Sequence, residues 1–413
     1  MKEEKMDSEK ISGRQIGSKI WEAFGLTNYT DRHRDAVLAL LLWRKLSVDF
    51  EEACQRELGD ELLVQENFDV TVRRGVLSFS DGVSPLERWY EQNPSDVPTF
   101  ESHMQRKLGY IISPKSLWSK LDRLTHVQDP SVFQTLSAGF KSFDDGTFDD
   151  AYNRLFSGID LSVFLPARVK LPLSIRRISD LFATIGDGED LFEAYDYVVE
   201  RMMKIGPQLK AFHTPPEVSE VLARIATFES VDPSSGPRND AKNVLDFTSG
   251  SGALLMRVRQ SLGPDAVGKI YAQDVDKISR MTLLLYGLKN NEFEFFCGDT
   301  LTNEWNVFKD VRPGKKPIFD VVVAAPPVTI RHDVDALLGD PRFAGYGKVS
   351  RGCADTAFLL HGLHYLSEQG TMAILLHSGI TFRGGEEAVT RQKLVEDNQI
   401  DAVINLPDRK SVV

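Results

Sequence analysis

Two stretches of this chain have residue types and spacing that could do chemistry. In the first, Asp246-Phe247-Thr248-Ser249-Gly250-Ser251-Gly252 follows the apolar pair Val244-Leu245. The order reads as a buried strand, a glycine turn and then a helix, and glycines let a backbone approach a ligand closely. An acid at the strand end suits a ligand with a positive amino-acid group. A phosphate loop instead favours anions at the helix N-terminus, and no Gly-Lys-Ser/Thr is present here, which argues against nucleotide hydrolysis. In the second stretch, Phe319-Asp320-Val321-Val322-Val323-Ala324 reads as a buried strand that runs into Ala325-Pro326-Pro327-Val328. Prolines fix φ and leave their carbonyls free as acceptors. Such a carbonyl can accept from an exocyclic amine and aim the nitrogen lone pair at a methyl sulfonium. An Asn or Asp just before the prolines would accept the second proton, and Ala325 cannot. An aromatic just after them would stack on a base rotated out of a duplex, and Val328 can only pack against it.

Two more acids end the next two strands of the pattern. Asp274 closes Tyr271-Ala272-Gln273, and Asp299 follows Cys297-Gly298. The first could accept from ribose hydroxyls and the second from an adenine amino group. Taken singly, the glycine turn is also an ordinary tight βα turn, and each acid a surface or capping residue. The set of three with the turn points to a nucleoside-type cofactor. Between Arg331 and Ala354, the residues Phe343, Gly345, Tyr346, Gly347, Lys348 and Arg351 suit an unstacked base and its phosphates. A folded surface loop accounts for them equally. His213, His332 and His377 have no metal-ligand spacing and read as structural. No Ser/His/Asp or Cys/His order suggests covalent catalysis.

The elements that must position these residues change character along the chain. Apolar residues recur at helical spacing over 16–63, with Asp31 a candidate cap and Gly59 a candidate stop for the second helix. Residues 85–160 continue helical, with breaks at Pro94, Pro98, Pro114 and Pro130, and Pro166 and Pro172 mark a joint. A further helical stripe runs over 189–203. Thr214, Pro215 and Glu217 then have the form of a capping box opening a helix that runs to about 228. Beyond it, strands and helices alternate. Strands are expected at 243–247, 270–274, 294–297, 319–324, 371–377 and 402–406, and helices from 253 and over 277–289, 356–368 and 386–397. That alternation argues a doubly wound, mostly parallel sheet, whose ligands sit beyond the carboxyl ends of its strands.

Composition sets the outer bounds. The chain has 413 residues, a formal net charge of −11, 42% hydrophobic and 26% charged residues. That is an ordinary globular composition with room for two or three domains. No apolar run reaches the roughly 18–20 residues of a spanning helix, so no membrane partner is expected. Residues 1–10 are charged and lack the apolar run of a secretory signal. Three scattered cysteines, Cys54, Cys297 and Cys353, fit a reducing cytoplasm and leave no cysteine-rich metal site. The acidic balance withholds the basic footprint of non-specific nucleic-acid binding, so DNA contact would need a local basic surface or a basic partner. Lys309, Arg312, Lys315 and Lys316 form one such small cluster, or a solvated loop.

Together these residues resemble the modification (M) subunit of type I restriction–modification systems, an adenine-specific DNA methyltransferase. The resemblance covers most of the chain. Residues 16–50 look like that family's helical N-terminal domain. Phe212-His213-Thr214-Pro215-Pro216-Glu217-Val218 resembles its Phe-Tyr-Thr-Pro segment, and Ala354-Asp355-Thr356-Ala357-Phe358 and Phe382-Arg383-Gly384-Gly385 resemble its later segments. The resemblance implies an α/β fold: a Rossmann-like S-adenosylmethionine-dependent methyltransferase sheet at 186–413 behind an N-terminal all-helical domain at 1–185. It implies S-adenosylmethionine as cofactor. Asp246, Gly250 and Gly252 would line its methionine end, with Thr214, Pro215 and Thr248 as further contacts, Asp274 at the ribose and Asp299 at the adenine. Ala325, Pro326, Pro327 and Val328 would hold an adenine amine of DNA. A DNA-specificity (S) subunit and a nuclease-translocase (R) subunit are the implied partners.

Two departures set expectations of their own. The family has Asn-Pro-Pro-Phe/Tyr where this chain has Ala325-Pro326-Pro327-Val328. Loss of an orienting amide would remove about 3 kcal/mol of transition-state stabilisation, by analogy with a lost oxyanion donor. The alternative is a cofactor-binding scaffold or assembly subunit with impaired turnover. In the family one more strand and C-terminal helices follow the strand expected at 402–406.

Overall fold

The computed structural model describes residues 11–25, 30–62, 71–73, 76–78, 83–164, 170–185, 191–205, 214–228, 238, 241–263, 266–302, 317–327, 330–333, 335–347 and 349–407. Val328, Phe212, His213, Lys348, Pro166 and the Lys309–Lys316 basic cluster lie outside them. The chain divides into two compact units. One is Met1–Gly206 with Leu284–Asn290, and the other is Pro207–Leu283 with Asn291–Val413.

The first unit is helical, with α1 (Gly13–Phe24), α2 (Asp31–Leu58), α3 (Pro85–Gln92), α4 (Val97–Leu108), α5 (Trp118–His126), α6 (Val132–Gly146), α7 (Lys170–Ile185) and α8 (Phe192–Ile205). A short antiparallel pair, β1 (Thr71–Arg73) and β2 (Val76–Ser78), departs from the all-helical expectation. Its core is aromatic. Trp43 meets Phe140, Phe143 and Phe156 edge-on at 5.2, 5.9 and 5.4 Å. Its indole N–H donates to the Ser116 carbonyl at 3.0 Å, so the one polar atom of a fully buried ring is satisfied. Gly17 lets α8 press on α1, since a Cβ there would lie 2.6 Å from the Ala194 carbonyl. An expected boundary at 185/186 leaves α8 with the C-terminal half, whereas its packing is with α1.

One expected cap and one expected helix break turn out differently. Thr30, not Asp31, caps α2, with His33 Nδ1 2.8 Å from the Thr30 hydroxyl, and Asp31 is the first helical residue. Pro98 lies in the first turn of α4 and so opens a helix instead of breaking one, because its missing N–H is not needed there.

The remaining elements are α9 (Pro216–Thr227), β3 (Asn243–Asp246), α10 (Ala253–Leu262), β4 (Lys269–Asp274), α11 (Ile278–Leu285), β5 (Phe293–Cys297), β6 (Phe319–Ala324), α12 (Asp355–Tyr365), β7 (Leu366–Ile374) and α13 (Glu386–Glu396). The five strands form one parallel sheet in the order β5-β4-β3-β6-β7. β3 therefore sits at the centre, and the chain winds outward from it first one way and then the other. The crevice of such a sheet opens where the winding reverses, between the carboxyl ends of β3 and β6. Both central strands are buried runs of Val and Leu, as a sheet covered on both faces requires.

Three expectations are corrected here. The strand predicted at 371–377 begins earlier, at Leu366, and the preceding helix stops at Tyr365 instead of continuing to 368. Pairing with β6 decides this: Val321 faces Thr371 and Ala324 faces Ile374, so both strands end together. Residues 402–406 form no strand, and Val403 and Ile404 stand 58% and 41% exposed. Their apolar alternation finds no neighbouring strand among the described residues. Pro215 is extended (ψ 143°) and precedes the helix, so the Thr214–Glu217 capping box does not form. A residue before proline is pushed out of the helical region, and here Pro216 imposes that on Pro215.

Candidate functional site

The turn after β3 is built by hydrogen bonds that leave the glycines little choice. The Ser249 N–H and hydroxyl both donate to the Gln273 carbonyl, at 2.9 and 3.1 Å, which fixes the turn to the neighbouring strand β4. The Ser279 hydroxyl donates to the Gly250 carbonyl at 2.7 Å, and the Thr282 hydroxyl to the Ser251 carbonyl at 2.6 Å. Gly250 and Gly252 take φ of 51° and 74°, which side chains other than glycine rarely adopt. At Gly252 a Cβ would also lie 2.9 Å from Leu283.

Two carboxyls converge on this turn. Asp246 ends β3, is buried, and accepts the Thr248 N–H at 3.0 Å. Asp274 ends β4 and accepts the Gly250 N–H at 2.8 Å and the Asp276 N–H at 3.2 Å. Burial pushes the Asp246 carboxyl up to about 8; the Thr248 N–H pulls against it, and the Asp274 charge adds to the rise. Burial raises Asp274 too, against the backbone N–H groups it accepts. Among the described residues, the groups that shift the two carboxyls most are backbone N–H groups, the Thr248 side chain and neighbouring acids. The turn therefore presents paired acids whose ionised forms gain from a positive group placed beside them.

The proline lip joins the same edge. β6 lies directly beside β3, with Val323 opposite Asp246. The Ala325 N–H donates to the Thr248 hydroxyl at 3.2 Å, so one bond couples the glycine turn to the lip. The Ala324 carbonyl accepts the Leu375 N–H at 2.9 Å and holds the lip from the other side. Pro326 is buried and Pro327 half-buried. Asp299 follows β5 and is exposed; its Oδ1 accepts the Leu301 N–H at 2.8 Å. The Thr300 hydroxyl donates to the Phe247 carbonyl at 2.5 Å, which draws this turn against the end of β3.

The structure thus brings Asp246, Thr248, Gly250, Gly252, Asp274, Ala325, Pro326 and Pro327 to one rim, with Asp299 on the adjoining turn. Thr214 and Pro215 precede α9, and no hydrogen bond among the described residues ties them to that rim. The loop for which base contact and a plain folded surface loop are equal expectations is held to its neighbours at several points. Phe343 is buried in the core beneath the sheet edge and Tyr346 packs against that core. Gly345 and Tyr346 give their carbonyls to Lys393 and Thr390 of α13. Arg351 is exposed and pairs with Asp335 at 3.1 Å. His377 has the structural role expected of it: it accepts the Gly379 N–H at 3.0 Å and caps a short 3-10 turn.

Sequence reasoning missed Arg342. Its buried guanidinium donates to the Thr300 and Leu301 carbonyls at 2.8 and 2.7 Å, to Asp340 at 2.6 Å, and lies 2.8 Å from His361 Nδ1. It clamps the segment after β6 to the turn that carries Asp299. The available signal is Asp340-Pro341-Arg342, an acid that caps a short 3-10 turn by accepting the Arg342 N–H at 2.9 Å. Asp355 at the start of α12 is likewise buried and paired with Arg383, which also meets Glu387 at 3.0 Å.

Residues 187–410 match the family of N-6 DNA methylases. The methylase subunit of the type I restriction enzyme MpnII of Mycoplasma pneumoniae is 32% identical over 336 residues, covering 72% of this chain and 59% of that protein. The methylase subunit of the type I enzyme MjaVIII of Methanocaldococcus jannaschii is 27% identical over 230 residues, covering 53% of this chain and 37% of that protein. Aligned to these two relatives, the chain spans only 59% and 37% of their lengths. A type I restriction–modification methyltransferase subunit from Streptococcus thermophilus has the same fold, with a TM-score of 0.76 at 24% identity over 96% of this chain and 81% of that one.

Proposed function

The chain belongs to the N-6 DNA methylase family, and from that premise we propose that it transfers a methyl group from S-adenosylmethionine to the exocyclic amine of adenine in DNA. In this reading it is the modification subunit of a type I restriction–modification complex in the cytoplasm. DNA sequence choice falls to a specificity subunit, and a restriction subunit is a further partner. The observation that carries the reading is the pair of carboxyls at one glycine turn, the buried Asp246 and the half-buried Asp274, which accept the Thr248 and Gly250 N–H groups and which burial raises.

The residues present fit such a cofactor. A cationic amino-acid end placed at the turn relieves the mutual repulsion of Asp246 and Asp274 and restores the charged form that burial disfavours. Asp274 has acceptor capacity left for ribose hydroxyls and Asp299 for an adenine amine. S-adenosylmethionine, when bound, supplies a methyl on a positive sulfur that needs no acid to leave. The work left to the chain is orientation and exclusion of water. The Pro326 carbonyl would accept one proton of the target amine and aim its lone pair. With the amine so held, the cofactor would supply the methyl group and the surplus amine proton would pass to water.

Ala325 gives this lip a backbone N–H, spent on Thr248, but no side-chain acceptor for the second amine proton. The methylase names of the relatives lend no support to a scaffold without turnover. The test is transfer of labelled methyl to DNA with a specificity subunit supplied. The native chain transfers label, and Ala325→Asn raises the rate by on the order of ten-fold or more. Cofactor binding with no transfer in either chain contradicts the reading.

A further inference from the structure

His332 lies five residues beyond Pro327, on the segment that leaves β6. That segment is anchored at several points. The Ile330 carbonyl accepts the Ala354 N–H at 3.0 Å, and Ile330 packs on the apolar cluster beneath the sheet edge. Further on, Arg342 binds the carbonyls of Thr300 and Leu301. The path out of β6 therefore returns to the turn that carries Asp299.

Both ring nitrogens of His332 are buried, and neither has a hydrogen-bond partner. Buried polar atoms are nearly always paired, and an unpaired one costs free energy that a ligand can recover. The charged groups that face this imidazole are the Asp299 and Asp333 carboxylates, while burial holds it below its ordinary value. Asp299 spends Oδ1 on the Leu301 N–H, and its Oδ2 takes no hydrogen bond among the described residues. An ionised carboxylate only accepts, and a neutral imidazole donates from one nitrogen. An acceptor on the Asp299 turn and a donor on the segment that Arg342 ties to that turn together complement one edge of adenine, where the N6 amine donates and N1 accepts.

We propose that His332 is a cofactor-binding residue that selects adenine, donating a ring N–H to N1 while Asp299 accepts from the N6 amine. The inference rests on the reading of the carboxyl edge as an S-adenosylmethionine site. It gives a role to a histidine whose spacing in the sequence reads as structural.

The test is calorimetric titration of the full chain with S-adenosylhomocysteine and with its 1-deazaadenine analogue, which lacks N1. The native chain, His332→Phe and His332→Asn are compared, with ligand-free melting curves for each. We expect His332→Phe to bind S-adenosylhomocysteine roughly three- to ten-fold more weakly. The native chain shows a similar loss on the analogue, and the Phe variant shows no further loss. Asparagine, which can also donate, keeps part of the affinity. Ligand-free Tm does not fall in the Phe variant, because no hydrogen bond is lost; a structural histidine would lower it. Unchanged affinity in the Phe variant, or an undiminished penalty on the analogue there, overturns this inference alone. Failure of the native chain to bind S-adenosylhomocysteine removes the cofactor reading itself.

Discussion

Asp246 is the residue at which burial costs the fold most clearly, and the proposed cofactor would offset that cost. Its carboxyl stands near 8 in the folded chain against an ordinary 3.8. Between those values the folded state keeps a proton that the unfolded state has released. The ligand-free fold therefore loses stability as pH rises from about 4 toward 8, and the loss levels off above that. Asp246→Asn retains an acceptor for the Thr248 N–H and cannot ionise. Its unfolding free energy should exceed that of the native chain at pH 8, with a difference that shrinks toward pH 5 at on the order of 1 kcal/mol per pH unit, and its Tm should move in the same direction. Melting curves across that range check it, and equal slopes in the two chains contradict it. The acid itself was legible in the sequence from its place between an apolar pair and a glycine turn. Its tie to the lip through Thr248 was not, because that bond depends on β6 lying next to β3, which no local spacing encodes.

At the scale of elements, the parts that position the site are the two turns and the clamp between them. Alternating apolar runs and turns were enough to place β3, β4, β5 and β6 to within a residue or so, since each is a buried run with a sharp end. β7 was placed late and 402–406 wrongly, because both depend on what a strand pairs with and not on its own pattern. Arg342 was invisible for a related reason: its partners are carbonyls 41 and 42 residues away. Against the lift that burial gives it, the Arg342 guanidinium holds the Asp340 carboxyl below its usual range. That part of the stability is present above the ordinary carboxylate pKa and is lost as pH falls through the lowered one. Arg342→Ala leaves two buried carbonyls without their donor and takes the charged partner from Asp340, which among the described residues keeps only the backbone N–H of residue 342. It should destabilise the fold by about 3 kcal/mol in urea unfolding at pH 7. A loss under about 1 kcal/mol would mean the two segments hold together without it.

For the whole molecule, one unit is helical with an aromatic core, and the other is built on a parallel sheet whose carboxyl edge carries the candidate site. The fold class was legible because strand–helix alternation leaves few topologies. The extent of the helical unit was less so, since α8 has an amphipathic pattern that fits either unit until Gly17 is seen to seat it on α1. Among the described residues no helix is long and apolar enough to cross a membrane. The central claim is that the crevice between β3 and β6 receives a cofactor whose cationic end meets Asp246. Calorimetric titration of S-adenosylmethionine at pH 7, in two buffers of different ionisation enthalpy, tests it most directly. The account predicts one-site binding with proton release from Asp246, and both the release and at least ten-fold of affinity lost in Asp246→Asn. Equal binding by the two chains, with no proton released by either, would contradict it.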